Sequence, residues 1–225
     1  MNESIIRMEK INKAYTLSGN VVQVLKNIDL EITKGTFTIT VGPSGAGKST
    51  LLYLMGLLSK QDSGEIYFEG KNIKKFSEKE KSGLRNNFIG FIFQSYHLLP
   101  EFNALENVML PSILKGLNKK DAHAGAMELL AKVNLTERIK HKPGELSGGE
   151  QQRLCICRAL MNKPDIILAD EPTGNLDMAN AKIVIELLES LCYQYGTTLI
   201  IVTHNEELSM RSNNVIKLLD GSIVK

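Results

Sequence analysis

A nine-residue stretch near the start of the chain carries the residue types that bind phosphate. Residues 42–50 read Gly-Pro-Ser-Gly-Ala-Gly-Lys-Ser-Thr and fit the pattern G-x-x-x-x-G-K-[ST]. Glycines permit backbone angles that are closed to other residues, so successive N–H groups can approach phosphate oxygens. The lysine places a positive charge against the β- and γ-phosphates, and the serine hydroxyl is placed to ligate Mg²⁺. We therefore predict a nucleotide-binding loop made of Gly42, Pro43, Ser44, Gly45, Ala46, Gly47, Lys48, Ser49 and Thr50.

Polar side chains follow three further apolar segments that are predicted to be strands. Asp170 ends one of them and Glu171 follows it, His204 comes directly after another, and Gln94 ends a third. Ligands bind at the carboxyl ends of strands in open α/β sheets. In phosphate-loop proteins the strand-end aspartate holds Mg²⁺, and the adjacent Glu171 is the candidate to polarise the attacking water. The alternatives are a solvated acid for Glu171 and a structural histidine for His204.

The stretch Leu-Ser-Gly-Gly-Glu-Gln-Gln-Arg, residues 146–153, predicts a helix that begins with two glycines after its cap. Ser147 and Glu150 have the spacing of a capping box. A helix N-terminus of this kind binds anions through its backbone N–H groups. One γ-phosphate needs only one cradle. This second cradle therefore serves either another anion or a nucleotide held by a neighbouring copy.

The segments around these residues predict a mixed architecture. The phosphate loop joins a predicted strand, 36–41, to a predicted buried helix, 48–58. Short strands before the loop favour an antiparallel layer, whereas later apolar runs separated by helices favour parallel strands covered on both faces. The short strands are predicted at 5–11, which we expect at a sheet edge, 21–25 and 28–32, with another at 64–70. The later strands are predicted at 88–93, 166–170 and 198–203, with a final hairpin at 215–219 and 222–224.

A helical section interrupts these strands. Residues 95–162 carry few strand signals, and we predict helices at 119–133 and 147–162 together with a shorter one that Pro111 ends. The predicted fold class is therefore α/β, a phosphate-loop core with a mixed, mainly parallel sheet, an antiparallel β layer and a helical subdomain. We predict one domain, 1–225, in which 1–94 and 163–225 form the core and 95–162 the helical subdomain.

Composition excludes several other classes of protein. The 225 residues can bury one sizeable core, and a net charge of +2 is too balanced for a nucleic-acid-binding protein. The longest unbroken apolar run, Leu51–Met55, is far shorter than the ~20 residues of a membrane span. The first residues lack the basic region of a signal peptide. The three cysteines, Cys155, Cys157 and Cys192, lack zinc-site spacing, and we expect them to be reduced, structural thiols of the cytosol.

Together these motifs resemble the ATP-binding cassette (ABC) family, and the resemblance covers essentially the whole chain. The phosphate loop, the signature stretch 146–153, the Ile-Leu-Ala-Asp-Glu strand end and the histidine after Thr203 occur in the family's order. The resemblance implies an ATPase coupled to transport, with ATP and Mg²⁺ as cofactors. It also implies a head-to-tail pair of copies in which two ATP sites form.

The resemblance further implies roles for single residues. Glu171 would be the catalytic base, His204 would contact the γ-phosphate, and Gln94 would sense Mg²⁺ and the attacking water. Mg²⁺ would be held by Asp170 together with Ser49 and Gln94. Tyr15 would stack on adenine, the alternative being a buried core tyrosine. The residues implied to close on the ATP of a second copy are Ser147, Gly148, Gly149 and Glu150, and the implied dimer-contacting loop is Asn175, Leu176 and Asp177.

Two stretches, 93–108 and 171–177, are similar to those of the lipoprotein-releasing ATPases and their macrolide-exporter and cell-division relatives. In that group the cassette works on a separate integral-membrane subunit from the cytoplasmic face of the inner membrane. Macrolide or peptide export and cell division are therefore alternatives within the family. A soluble ABC protein acting on ribosomes or DNA is an alternative of another class, and a phosphate-loop kinase is a third. Only 53 positions separate Gln94 from Ser147, which leaves no room for the coiled coil of a DNA-repair ATPase.

The segment after Gln94 is unusually apolar for a loop, and a soluble protein rarely exposes such a patch without a partner. We expect a cytoplasmic helix of the membrane subunit to dock there, as amphipathic helices dock in other apolar grooves. The alternative, considered for Leu98 and Leu105 in particular, is that these residues form the core of the helical subdomain. The residues of the predicted groove are Tyr96, Leu98, Leu99, Pro100 and Phe102.

Overall fold

The computed structural model describes residues 3–17 and 19–224, and its contacts divide these residues into two compact units. The first unit contains the described residues up to Arg85 and those from Thr198 onward, and the second contains Asn86–Thr197. The predicted division at 95–162 has different bounds and stays a prediction. In chain order the strands and α-helices are β1 (Ser4–Leu17), β2 (Asn20–Thr33), β3 (Phe37–Val41), α1 (Lys48–Met55), β4 (Ser63–Phe68), β5 (Lys71–Asn72), α2 (Glu78–Phe88), β6 (Ile89–Ile92), α3 (Ala104–Leu114), α4 (Lys119–Lys132), α5 (Gly148–Leu160), β7 (Ile166–Asp170), α6 (Met178–Tyr195), β8 (Thr198–Thr203), β9 (Asn214–Leu219) and β10 (Ser222–Val224).

The predicted antiparallel layer is a four-stranded sheet in the first unit, with strand order β2-β1-β4-β5. The prediction that the first strand lies at a sheet edge is wrong, because β1 pairs with β2 on one side and with β4 on the other. Residues 21–25 and 28–32 were predicted as two strands and belong to the single strand β2. The register of β1 against β2 shifts several times, and Asn27 has a φ of 49°. Each bulge inserts an extra residue into the strand, so the residues that face the core no longer fall at every second position. The alternation of polar and apolar residues that identifies a strand in the sequence is therefore interrupted.

The parallel strands of the first unit place the phosphate loop. β3 lies between β8 and β9 and runs parallel to both, and β9 forms the predicted hairpin with β10. α1 follows the loop and buries three leucines and Met55. The helix was predicted to reach residue 58 and ends at Met55, because Gly56 caps it and Leu57 takes a left-handed φ of 56°. The guanidinium of Arg85 donates to the Leu57 carbonyl at 3.0 Å and holds this turn.

The second unit contains the parallel pair β6 and β7 and the helices α3 to α6. All five residues of β7 are buried, as expected for a strand covered on both faces. The prediction that Pro111 ends a helix is wrong, because α3 continues through it to Leu114. Proline removes one helical hydrogen bond. The side-chain amide of Asn162 donates to the Pro111 carbonyl at 3.1 Å, beside the helical bond from the Lys115 N–H, and ties this part of α3 to the end of α5.

The three cysteines are free and buried, which agrees with the predicted structural thiols. Burial raises the thiol pKa of Cys155 and of Cys192 to about 12, and it raises that of Cys157 as well. Thiols of this kind stay protonated and unreactive at neutral pH. Within the described ranges no group of three or more His, Cys, Asp or Glu side chains could hold a metal ion. Across the same ranges, no helix is both long enough and apolar enough to cross a membrane.

Candidate nucleotide-binding site

The phosphate loop takes the conformation that its glycines allow. Gly45 and Gly47 have φ values of 81° and 101°, in the left-handed region that other residues rarely adopt. A Cβ atom on Gly47 would lie 2.8 Å from the carbonyl oxygen of Val24 and 2.9 Å from the side chain of Leu25. The residue before Lys48 therefore has to be glycine for two reasons, its backbone angle and its close approach to β2.

The start of α1 is suited to an anion. No side chain caps this helix and its first turn holds no acidic residue, whereas Asn103, Ser147 and Asp177 cap α3, α5 and α6. The first N–H groups of a helix have no intrahelical acceptor, and together with the helix dipole they attract negative charge. The buried Lys48 ammonium donates to the carbonyl oxygens of Gly42 at 2.8 Å and Pro43 at 3.0 Å, so its positive charge is held within the loop. These features fit nucleotide phosphates.

The two candidate residues at the ends of the first unit's strands are exposed side chains. Tyr15 lies on β1 opposite Val22 and is 38% exposed, so the alternative of a buried core tyrosine is wrong. The Lys13 ammonium lies 5.0 Å from the centre of its ring, a cation–π distance. His204 directly follows β8, and the backbone N–H of Asn205 after it donates to the Thr203 hydroxyl at 3.1 Å. Stacking by Tyr15 and γ-phosphate contact by His204 remain predictions.

In the second unit, two acidic residues, Asp170 and Glu171, are adjacent at the end of β7. Asp170 is the last residue of this buried strand, and Glu171 follows with a φ of 45°. A left-handed conformation costs a residue with a Cβ about 1–2 kcal/mol, and such strained residues cluster at functional sites. The Glu171 carbonyl accepts a hydrogen bond from Gly174 at 3.0 Å, which closes the turn that changes the chain direction after the strand.

The same turn brings together two predicted site residues that the sequence leaves 81 positions apart. The side-chain amide of Asn175 donates to the Gln94 carbonyl at 2.7 Å, and the Gln94 amide lies 3.5 Å from the Asn175 side-chain oxygen. A Cβ on Gly174 would lie 2.6 Å from the Gln94 amide nitrogen. A side chain at 174 would therefore push the end of the Gln94 side chain aside. Sequence reasoning missed this approach, although the Thr-Gly-Asn turn was a signal for a tight turn here.

The signature stretch forms the capping box predicted for it. Ser147 precedes α5, and its hydroxyl accepts from the Glu150 N–H at 3.3 Å while the Glu150 carboxylate accepts from the Ser147 N–H at 2.8 Å. The N–H groups of Gly148 and Gly149 occupy the first two helical positions, which have no intrahelical acceptor. Asp177 caps α6 in a similar way by accepting from the Asn180 N–H at 2.9 Å, and these hydrogen bonds lower its carboxyl pKa.

Tyr96 connects the segment after Gln94 to the signature helix. Tyr96 and His97 have φ values of 56° and 49°, two left-handed residues in succession. The Arg158 guanidinium holds both of them by donating to the Tyr96 carbonyl at 2.7 Å and to the His97 carbonyl at 2.5 Å. The Tyr96 hydroxyl lies 3.0 Å from where a Cβ on Gly148 would stand. Tyr96 thus lies against the start of α5, whereas the sequence placed it in the docking groove. Arg158 was missed, because one arginine in an amphipathic helix carries no signal of its own.

Replacing Arg158 by Met is expected to destabilise the protein by about 1–3 kcal/mol, because two carbonyls lose charged donors and two strained residues lose their restraint. Urea unfolding followed by circular dichroism measures this change. Arg7→Met is the matched control, since the contacts of Arg7 among the described residues are with an exposed carboxylate and a tyrosine ring on the antiparallel sheet. Equal stability of the Arg158→Met variant and the control would contradict the assigned role.

The rest of the apolar segment is held by Asn107, which is fully buried in α3. Its side-chain oxygen accepts from the Leu99 N–H at 2.9 Å, and its amide donates to the carbonyls of Leu99, Phe102 and Asn103 at 3.0 to 3.1 Å. Leu99 and Phe102 are each 37% exposed in this fixed backbone. The loop therefore presents two apolar side chains to solvent on a rigid support. Leu98 is half-buried, as is Leu105, so the core alternative remains open for both.

Comparison with known proteins identifies many similar chains. The family model described as ABC transporter matches residues 25–174, more than half of the chain. The lipoprotein-releasing system ATP-binding protein LolD of Bacteroides fragilis is 49% identical over 220 residues, which cover 98% of this chain and 100% of that protein. The protein of the same name from Geobacter metallireducens is 48% identical over 221 residues and 98% of both chains.

Two solved structures extend this similarity to the fold. The dimeric structure of MJ0796, described as a bacterial ABC transporter cassette, superimposes with a TM-score of 0.91 at 38% identity and covers 98% of this chain and 97% of that one. A dimeric post-hydrolysis state of the same cassette, bound to ADP and phosphate, gives a TM-score of 0.90 at 37% identity over the same shares. The predicted α/β fold with a phosphate loop is confirmed by these neighbours.

Proposed function

The chain belongs to the ABC transporter family, and we propose that it is the ATP-hydrolysing subunit of a lipoprotein-releasing ABC system. The observation that carries ATP binding is the phosphate loop itself, with an uncapped helix N-terminus and the ammonium of Lys48 held inside it. The lipoprotein-releasing assignment is supported by the names of relatives that match at 45–49% identity over nearly the whole chain. Those names favour lipoprotein release over macrolide or peptide export.

We propose that the second-unit carboxylates act on the nucleotide that the phosphate loop binds. Asp170, Ser49 and Gln94 would hold Mg²⁺, which neutralises charge on the β- and γ-phosphates when it is bound. Glu171 takes the proton from the attacking water, and its place directly after the buried strand β7, beside Asp170, supports that role. His204 contacts the γ-phosphate. The hydrogen bond between Asn175 and the Gln94 carbonyl links the predicted Mg²⁺-sensing residue to the predicted dimer-contacting loop.

We further propose that two copies pair head to tail, with Ser147 to Glu150 of one copy closing on the ATP of the other. Dimeric relatives support pairing. The N–H groups of Gly148 and Gly149 at the start of α5, which have no intrahelical acceptor, support the binding of an anion there. In this arrangement the chain works at the cytoplasmic face of the inner membrane and is attached to it through an integral-membrane subunit. Depleting the chain from cells should therefore leave lipoproteins in the inner membrane. Normal release on depletion would contradict the assignment.

Replacing Leu99 or Phe102 by Asp is expected to abolish copurification with the membrane subunit and the ATPase stimulation that it causes. The basal ATPase of the isolated chain should be unchanged, because both side chains are partly exposed and Asn107 holds the loop through backbone atoms. Pull-down from detergent-solubilised membranes measures the first effect, and phosphate release measures the second. Tyr193→Asp, at a 91% exposed residue of α6, serves as the control. Copurification at wild-type yield would place the docking surface elsewhere, and a loss of basal ATPase would favour the core interpretation.

A further inference from the structure

The signature helix carries a negative charge where a phosphate is expected. Glu150 occupies the third position of α5, and its carboxylate accepts from the Ser147 N–H at 2.8 Å. Its side chain is 18% exposed, so water screens the charge only in part. The hydrogen bonds to Ser147 and Arg138 lower the Glu150 pKa to about 2, and the group therefore stays ionised at neutral pH. An uncompensated carboxylate beside this helix N-terminus would repel the γ-phosphate of an approaching copy.

Arg138 is the cation that meets this carboxylate. Its Nε donates to Glu150 Oε1 at 2.9 Å, from a short 3-10 turn, Thr136–Arg138, that follows α4. The arginine side chain is 46% exposed and that of the glutamate 18%, so the guanidinium is the more solvent-accessible partner of the pair. A charge-assisted hydrogen bond of this kind fixes the carboxylate orientation as well as cancelling its charge.

We propose that Arg138 is a positioning residue that neutralises Glu150 and so allows the start of α5 to receive the γ-phosphate of an ATP bound by a second copy. The inference rests on the proposed function, because it requires ATP-dependent head-to-tail pairing. The inference divides phosphate binding at the signature stretch between two groups of atoms. The N–H groups of Gly148 and Gly149 meet the phosphate, and Arg138 removes the charge that would oppose it.

A purely structural role for Arg138 makes a different prediction. If the arginine only ties its 3-10 turn to α5, then losing it should weaken pairing whatever residue stands at 150. If it acts by cancelling charge, an uncharged residue at 150 should make the arginine dispensable. Gln serves this purpose, because it completes a capping box at the third helical position as Glu does and carries no charge.

The test compares four forms of the full chain in a Glu171→Gln background, which should hold ATP without turnover. These are the parent, Arg138→Met, Glu150→Gln and the double variant, and sedimentation velocity with MgATP at low salt gives the dimer dissociation constant of each. We expect Arg138→Met to raise this constant about tenfold, from the Coulomb energy of one partly screened charge. Glu150→Gln should pair at least as tightly as the parent, and the double variant should return to within about threefold of it. Added salt should shrink the Arg138→Met effect.

Arg7→Met in the same background is the matched control, because Arg7 is also 46% exposed and also pairs with a glutamate, at 3.0 Å. It should leave the dimer dissociation constant unchanged. Parent-like pairing of Arg138→Met overturns the inference, and so does a double variant that pairs as weakly as Arg138→Met alone. If the parent itself does not pair with ATP, the head-to-tail proposal fails and the inference fails with it. The two failures are therefore distinguishable.

Discussion

Replacing Glu171 by Gln is expected to slow ATP hydrolysis by about two orders of magnitude or more while ATP binding stays as in the wild type. Gln keeps the size and shape of the side chain, so the left-handed turn at this residue and its bond to Gly174 should survive. The amide cannot take a proton from water, and the chemical step is lost. Because binding and hydrolysis are separated, the bound ATP should then hold two copies together.

Phosphate release and gel filtration with MgATP measure these two effects. Glu31→Gln, at an exposed residue of β2, is the control and should change neither. Turnover near the wild-type rate would show that another group accepts the proton. A monomeric elution with ATP present, together with normal ATP binding, would show that the second copy is not held by the nucleotide.

The local signals in the sequence predicted the structure best where a backbone requirement selects a residue type. The phosphate loop, the capping box at Ser147 and the buried strand that ends at Asp170 all appear where they were expected. Each depends on interactions within a few residues. A glycine with positive φ or a serine three residues before a glutamate is specified locally, so one sequence suffices to find it.

The failures come from contacts that are distant in sequence. The helix that contains Pro111 is tied down by Asn162, 51 positions away, which donates to the proline carbonyl. Tyr96 turns toward the signature helix because Arg158, 62 positions away, holds its carbonyl. Tertiary contacts of this kind override local preference, and no periodicity reports them. The pairing of Gln94 with Asn175 was missed for the same reason. Gln94 was expected to end a strand, but β6 ends at Ile92 and Gln94 lies in the turn after it.

Two single variants, Lys48→Ala and Ser147→Arg, should each lose a different half of the composite ATP site. Lys48→Ala removes the ammonium that the loop holds by two carbonyl bonds, so ATP binding by the single chain should be lost. Ser147→Arg leaves the loop intact and puts a long side chain at the start of α5. ATP binding by this single chain should stay as in the wild type, whereas pairing should be blocked.

Ser147→Arg also removes a helix cap, which costs about 1 kcal/mol of stability. Asn118→Arg removes the cap of α4 in the same way and is therefore the matched control. It should pair normally with MgATP. Circular dichroism of all variants checks that each is folded before nucleotide binding is compared. Equal loss of single-chain ATP affinity in Lys48→Ala and Ser147→Arg would contradict the head-to-tail arrangement.

Mixing the two variants in the Glu171→Gln background gives the strongest test of head-to-tail pairing. Neither variant should pair by itself, because one lacks nucleotide and the other blocks both interfaces. In the mixture, the intact phosphate loop of the Ser147→Arg copy can meet the intact signature helix of the Lys48→Ala copy, which rebuilds one site. The other site combines the Lys48→Ala phosphate loop with the Ser147→Arg signature helix, so both of its halves are defective. A mixed dimer that binds one ATP is therefore expected, and distinct affinity tags on the two copies identify it. If each copy completed its own site, mixing would restore nothing, since every chain would keep its own defect.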